Sequence, residues 1–491
     1  MNYKHFSVFK EDIKMDLGDL ATKALRAIAI KKGKSLAKKM DAPVIEKAQP
    51  IVMKNETDDL FNAGFACAEV MPKDVTAKKY YIAGYKMDHP VTGVNDPLTV
   101  RAMWLDCKDG GGIVLVSADV IGLTGYEVNR VRESLSDFTK KTDCKLISVS
   151  CTHSHASIDT VGYWGRLMPP QSGVDKEYLE QLLAAIKKVC IEAYENRKEG
   201  KMYVGSVRVP DAVDTGRASV DDRLTRFRFV PEDGGAETWF LNFGAHPNTM
   251  GGDCTKVSAD YPYYMREAIN REKAVNVLFS VGPIASININ GELAEDRVER
   301  TRLGGEMLAK AALGIDNDEL MPAEITVVHQ PYYAPIENYV LGFMFILGLC
   351  SARAYPNKDS SLGLALLTEM NYIKIGTQKI LTLGGETFAE NVDGKYFDAE
   401  NSGTGIGPEV NAKPLREIAN DDKLIIFGVT NDMTGYMVPA NNAVLHPTQA
   451  YLSSYRDNLD RNHYHETNGL SVEITHLVAK EFEDIIKRTE G

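Results

Sequence analysis

Two short apolar runs rich in β-branched residues, residues 113–118 (IVLVSA) and 146–151 (LISVSC), flank a stretch of helical character at residues 125–136. Apolar runs of this length without polar alternation suit strands buried on both faces, and a helix between two of them is the connection a parallel pair requires. In such sheets the residues just past the carboxyl end of a strand face the crevice where ligands bind. Asp119 and the segment 152–159 are therefore placed where chemistry is usually done. Further strands are expected at 202–209, 224–230, 238–243 and 275–280, with a helix at 263–271. The fold class is α/β, with mixed β-sheets flanked by helices.

The first 60 residues differ in texture from this body. From Leu20 to Met40 there are seven basic residues and no acidic one, with Leu20, Ala24, Ala27, Ile28 and Leu36 at helical spacing. This reads as a basic helical arm, residues 1–60, that packs on the body or on a second copy in a homo-oligomer. A role at a membrane surface or an anionic ligand is the alternative. The formal charge of −12 argues against nucleic acid as the main partner. No run approaches the roughly 20 apolar residues of a bilayer span. The longest, residues 339–350 (YVLGFMFILGLC), is broken by two glycines and reads as a buried element or pocket wall. Seven cysteines without a C-x-x-C pair make a poor disulfide framework, and the first residues lack the apolar block of a secretory signal. A cytoplasmic location is expected. The glycine-rich stretch 401–407 (NSGTGIG) lacks the spacing of a phosphate loop and reads as a flexible active-site or surface loop.

The densest chemical signal is Thr152-His153-Ser154-His155, directly after a buried strand. Histidines two apart in extended chain point the same way, and neutral imidazole is the commonest nitrogen ligand of zinc. Two imidazoles that merely hydrogen-bond backbone at a strand end fit the same spacing. A second strand, 238–243, leads to Gly244-Ala245-His246-Pro247, where the proline holds His246 extended. In a third segment, Gly384-Gly385-Glu386, two glycines permit close backbone approach beside a carboxylate that either completes a metal shell or sits in an exposed turn.

Taken together, these motifs resemble the neutral (non-lysosomal) ceramidases and their bacterial relatives, from about Phe61 to the end of the chain. The resemblance also rests on Ala68-Glu69-Val70-x-Pro72, Gly84-Tyr85, the run Gly93 to Leu98 followed by Arg101-Ala102, Ser117-Ala118-Asp119, and Asn431 to Tyr436 (NDMTGY), which is similar to the family's N-x-Y-x-x-Y. It implies a ceramidase-like catalytic domain over residues 61–491 and a catalytic Zn²⁺ held by His153, His246, Glu386 and Tyr436. It further implies His155 beside the metal shell or against the substrate, Arg217 as an active-site arginine and Tyr464 as a pocket tyrosine. The implied reaction is hydrolysis of an N-acyl (amide) bond by metal-activated water.

Three departures bear on mechanism and substrate. Where the family carries G-D-V-S-P-N, this chain reads Gly282 to Asn290 (GPIASININ). Aligning the last asparagines puts Asn288 at the family's catalytic serine, and sliding by two puts Ser286 there. The first register leaves no hydroxyl nucleophile, and Asn288 would donate to a developing oxyanion. The tight turn after the histidine motif is replaced by Ala156 to Thr160, and the chain reads as ending on a helix, residues 471–487, without the immunoglobulin-like domain of the secreted relatives. The expected substrate therefore shifts from a lipid-like ceramide toward a smaller polar N-acyl compound. An ester or glycoside-type bond is a further option, and the missing serine also allows a non-catalytic binding protein of the same fold.

Overall fold

The computed structural model describes residues 17–108 and 110–490; the amino-terminal stretch 1–16, where no export signal was expected, lies outside the described residues. Two β-sheets pack face to face with helices on both outer sides. The larger, nine-stranded sheet runs in the order Asn276–Val281, Thr238–Phe243, Arg223–Pro231, Lys198–Arg208, Phe61–Glu69, Thr99–Asp106, Gly112–Ala118 and Cys144–Cys151, with Glu319–Leu320 pairing beside Lys198–Arg208. It is antiparallel except at its two ends. There Gly112–Ala118 pairs parallel with Cys144–Cys151, and Thr238–Phe243 pairs parallel with Asn276–Val281.

The first pair is the expected strand-helix-strand unit, and the second joins strands and a helix that were expected as separate elements. The helices Gly125–Ser134 and Ser136–Thr142 cross over in the first, and Tyr261–Glu272 in the second. All seven residues of Gly112–Ala118 are buried, which is why the run shows no alternation. Ile113 and Leu115 point toward the second sheet, and Val114 and Val116 point into the core shared with the helices.

Strand twist of about 20–25° per neighbour, accumulated over so many strands, curls the large sheet. Its ends come together: Ser117 Oγ donates to Phe279 O at 2.6 Å, and Arg101 Nη1 donates to Val277 O at 3.2 Å. The crevices beyond the two parallel pairs thereby merge into one.

The smaller sheet has six strands, with Ile51–Lys54, Glu324–Pro335, Leu364–Ile375, Gln378–Leu383 and Ile425–Phe427 in order and Ala354–Pro356 on the side. Between the sheets lie Met103, Leu105, Phe240, Leu278, Ile325, Ile373 and Phe427. The Phe240 and Phe427 rings stack at 4.9 Å between centroids. The expected amino-terminal arm is tied to this sheet, since Ile51–Lys54 pairs antiparallel with Glu324–Pro335. Its helix, Leu17–Ala37, lies over Tyr339–Ile346, the apolar run, which is a short helix capped by Asn338. The carboxyl-terminal helix spans Ile474–Glu490. All seven cysteines are free.

Candidate active site

The histidine motif leaves its strand under backbone constraint. Thr152 N bonds Ala118 O at 2.8 Å and His153 N bonds Val120 O at 3.0 Å, while His153 itself sits at φ +63°. That left-handed conformation is uncommon for a residue with a side chain and persists only where the surroundings over-determine it. It turns the imidazole inward, where Nδ1 lies 2.6 Å from Ile121 O. His246, after the second parallel pair, has its backbone N–H on Ile287 O at 2.8 Å and Nδ1 3.3 Å from Ile284 O. A carbonyl can only accept, so both Nδ1 atoms carry a proton and both Nε2 atoms are turned into the cluster.

Those Nε2 atoms converge. His155 Nε2 lies 3.3 Å from His153 Nε2 and 3.0 Å from His246 Nε2. Glu386 Oε2 lies 3.4 Å from His153 Nε2 and 3.3 Å from His246 Nε2. Among the described residues Glu386 Oε2 is buried without a hydrogen-bond donor. Burial works against its ionisation, but the two imidazoles and the Tyr436 hydroxyl hold the carboxyl down at about 2. Burial likewise lowers His246 to about 4, against the pull of Glu386. A carboxylate oxygen this close to two imidazole nitrogens needs positive charge between them, from a proton or from a metal ion. His153, His155 and His246 form a group whose ligand atoms lie within 4.8 Å of one another. The residues fit a metal ion.

Glycines make the approach of these elements possible. A Cβ on Gly385 would fall 2.5 Å from Gly435 O, so only glycine lets Glu386-Thr387 pair with Tyr436-Met437 in a short parallel bridge. That bridge sets Glu386 beside Tyr436. A Cβ on Gly84 would fall 2.5 Å from the His155 ring, and Gly84 has φ +109°. Tyr85 packs edge-on against the same ring at 5.0 Å.

The remaining expected residues divide. Tyr464 is at the rim, its ring 6.0 Å from that of Tyr436. Arg217 is buried and bonds Glu390 Oε1 through Nε at 2.9 Å; its guanidinium lies over Phe388, and its Nη2 has no partner among the described residues. Asn288 is exposed. Its backbone bridges His246, while its Oδ1 accepts from Asn248 Nδ2 at 2.9 Å. Asp119 is engaged elsewhere, in a buried bidentate pair with Arg266 at 3.0 and 2.7 Å. The stretch 401–407 packs against residues 441 and 442, through Thr404 Oγ1 to Asn441 O at 2.6 Å.

His465 was not singled out in the sequence. Its Nε2 lies 2.7 Å from Ser286 Oγ, and its ring packs on Tyr436, Tyr464 and Phe388. Ser286 is held at φ +59°. The signal was present: His463-Tyr464-His465 repeats the H-x-H spacing of the first motif. Of this second pair, His463 is structural, clamped by Asp457 Oδ2 at 3.0 Å and Glu466 Oε1 at 2.9 Å.

Fold and site together define a class: a two-sheet α/β scaffold with a histidine and glutamate centre where the ends of its larger sheet meet. Solved structures place that scaffold. The chain has the fold of neutral ceramidase from Pseudomonas aeruginosa, with a TM-score of 0.66 at 13% identity over 88% of this chain and 75% of that one. A second structure, described as ceramidase complexed with C2, superposes with a TM-score of 0.65 at 13% identity, covering 88% of this chain and 76% of that one. No protein-family model and no curated protein matches the chain. At this identity the likeness is one of fold.

Proposed function

We propose that the chain is a metal-dependent hydrolase that cleaves an amide (N-acyl) bond with water, releasing an acid and an amine. The observation that carries this reading is the convergence of the His153 and His246 Nε2 atoms on the buried Glu386 Oε2, with His155 Nε2 beside them. His153, His246, Glu386 and Tyr436 would hold the ion, with His155 as a further nitrogen donor, and an imidazole-rich set of this kind suits zinc. When bound, such an ion polarises a carbonyl and lowers the pKa of water toward neutrality.

The chain's own groups do the positioning. The Ile121 and Ile284 carbonyls fix the tautomers of His153 and His246. Arg217 offers a fixed positive charge with a free N–H, and Ser286 offers a hydroxyl tethered to His465, the ring that packs on Tyr436. On this geometry Ser286, rather than Asn288, is the group suited to meet a substrate carbonyl.

The rim favours a polar substrate over a long acyl chain. Tyr85 OH donates to Asn248 O at 3.0 Å, and Asn248, Asn288 and Tyr464 line the same edge. The test is metal content of protein loaded with zinc and dialysed, followed by product analysis with a short-chain N-acyl sphingosine and a panel of N-acyl amino acids. About one retained ion per chain, lost in His153→Ala and His246→Ala, with free acid released, supports the reading. Retained metal without turnover of amides moves the function to another bond or to binding, and failure to retain metal overturns it.

A further inference from the structure

The basic helix Leu17–Ala37 is not used by the reading above. Its inner face is formed by Thr22, Leu25, Ala29, Gly33 and Leu36, spaced three and four apart, and it packs on the helix Tyr339–Ile346 and the strand Leu364–Ile375. A Cβ on Gly33 would fall 2.5 Å from Leu362 O, so the helix is seated closely and its rotation is fixed. That rotation turns Leu20, Ala24, Ala27, Lys31, Lys34 and Lys38 outward along one ridge, with Ile28 beside it. Leu20 is 59% exposed and Ile28 47% exposed. Among the described residues no carboxylate pairs with Lys31, Lys34 or Lys38. Nearby, Lys32 Nζ lies 5.6 Å above the Phe343 ring, and Leu347, just past that helix, is exposed.

A cationic ridge with isolated apolar side chains on it, in a chain of net charge −12, needs a partner that supplies both negative charge and an apolar layer. We propose that this face docks the protein on an anionic lipid surface, with the lysines over the headgroups and Leu20 and Ile28 entering the interface. A nucleic acid backbone would satisfy the lysines but give the two aliphatic side chains nothing to bury. A second copy of the chain would bring rows of like charge together.

The experiment is flotation of the full chain with phosphatidylcholine vesicles, with and without about a third of phosphatidylglycerol, at low and high salt. Each lysine near such a surface contributes about five-fold to partitioning, so Lys31→Glu/Lys34→Glu/Lys38→Glu lowers it about a hundred-fold or more. Leu20→Ser/Ile28→Ser lowers it several-fold while the salt dependence persists. All five side chains are exposed, so unchanged thermal unfolding of both variants shows that the fold is kept. The proposal is overturned if anionic vesicles are not bound, if neutral vesicles bind equally, if duplex RNA binds more tightly than vesicles, or if the lysine variant instead dissolves a dimer seen by sedimentation. None of these readouts involves metal or turnover, so they stand apart from the hydrolase reading.

Discussion

Gly84→Ala tests the construction of the site through backbone geometry alone. The added methyl meets two obstacles. The backbone at φ +109° is one that side chains rarely adopt, and the new Cβ falls 2.5 Å from Cγ and Nδ1 of His155. The first obstacle costs on the order of 1–3 kcal/mol whatever the neighbour does. The second is relieved only if the whole His155 side chain moves, since its Cβ is also 2.7 Å away, and the ring is flanked by Tyr85 on one side and by His153 and His246 on the other. The ring therefore leaves the cluster, and affinity for zinc falls about 10- to 100-fold, as for loss of a group that orients a metal site. Denaturant unfolding reads the first effect, and competition with a chromophoric chelator reads the second. In a His155→Gly background, which also removes the Cβ that lies 2.7 Å away, the clash is gone and the backbone cost remains, so Gly84→Ala should then destabilise without a further drop in affinity. Wild-type stability and affinity in the single variant would refute the placement of His155. Equal affinity losses in both backgrounds would refute the coupling.

Other outcomes follow from particular contacts. Ser286→Ala removes the bond to His465, lowering stability by about 1 kcal/mol and hydrolysis severely, whereas Asn288→Ala is nearly silent; kinetics of the two variants against the same N-acyl probe decides the register. Tyr436→Phe removes one oxygen, so circular dichroism is unchanged while zinc retention or turnover drops; full retention of both would remove Tyr436 from the metal set. Glu369 pairs with Arg132 at 2.6 and 2.7 Å; burial raises its pKa, but the guanidinium prevails and holds it at about 2. A carboxyl lowered on folding contributes stability that is present above its unfolded pKa of about 4.5 and fades as pH falls toward 2. Urea midpoints should therefore drop more steeply below pH 4.5 in wild type than in Arg132→Met/Glu369→Leu, and parallel profiles would show that the pair does not carry the effect. Breaking the buried Asp119–Arg266 pair by Arg266→Leu should cost about 3–5 kcal/mol, read as a lowered unfolding midpoint.

Strand-forming runs were legible because full burial demands uninterrupted apolar sequence. Thr238–Phe243 falls where expected, and Gly112–Ala118 and Cys144–Cys151 are longer by one or two residues at their amino ends. The histidines and Glu386 were legible because each follows such a run. The two-sheet packing was not, since the strand Ile51–Lys54 falls within what reads as a basic helical arm and gains its place only from pairing with Glu324–Pro335. The backbone at Ser286 was not legible for a related reason. Strand-like alternation in Ile287-Asn288-Ile289-Asn290 hides the left-handed turn at Ser286 that redirects the chain.

By itself the sequence determined what is local: which segments are strands, where histidines and glycines interrupt them, and that a basic helix precedes the body. These follow from burial, side-chain chemistry and backbone preference, which act over a few residues. Tertiary structure alone decided what meets. His155 and His246, 91 positions apart, stand 3.0 Å from each other because accumulated twist curls the large sheet end to end. His465 reaches Ser286 across 179 positions, a meeting that its H-x-H spacing alone could not place.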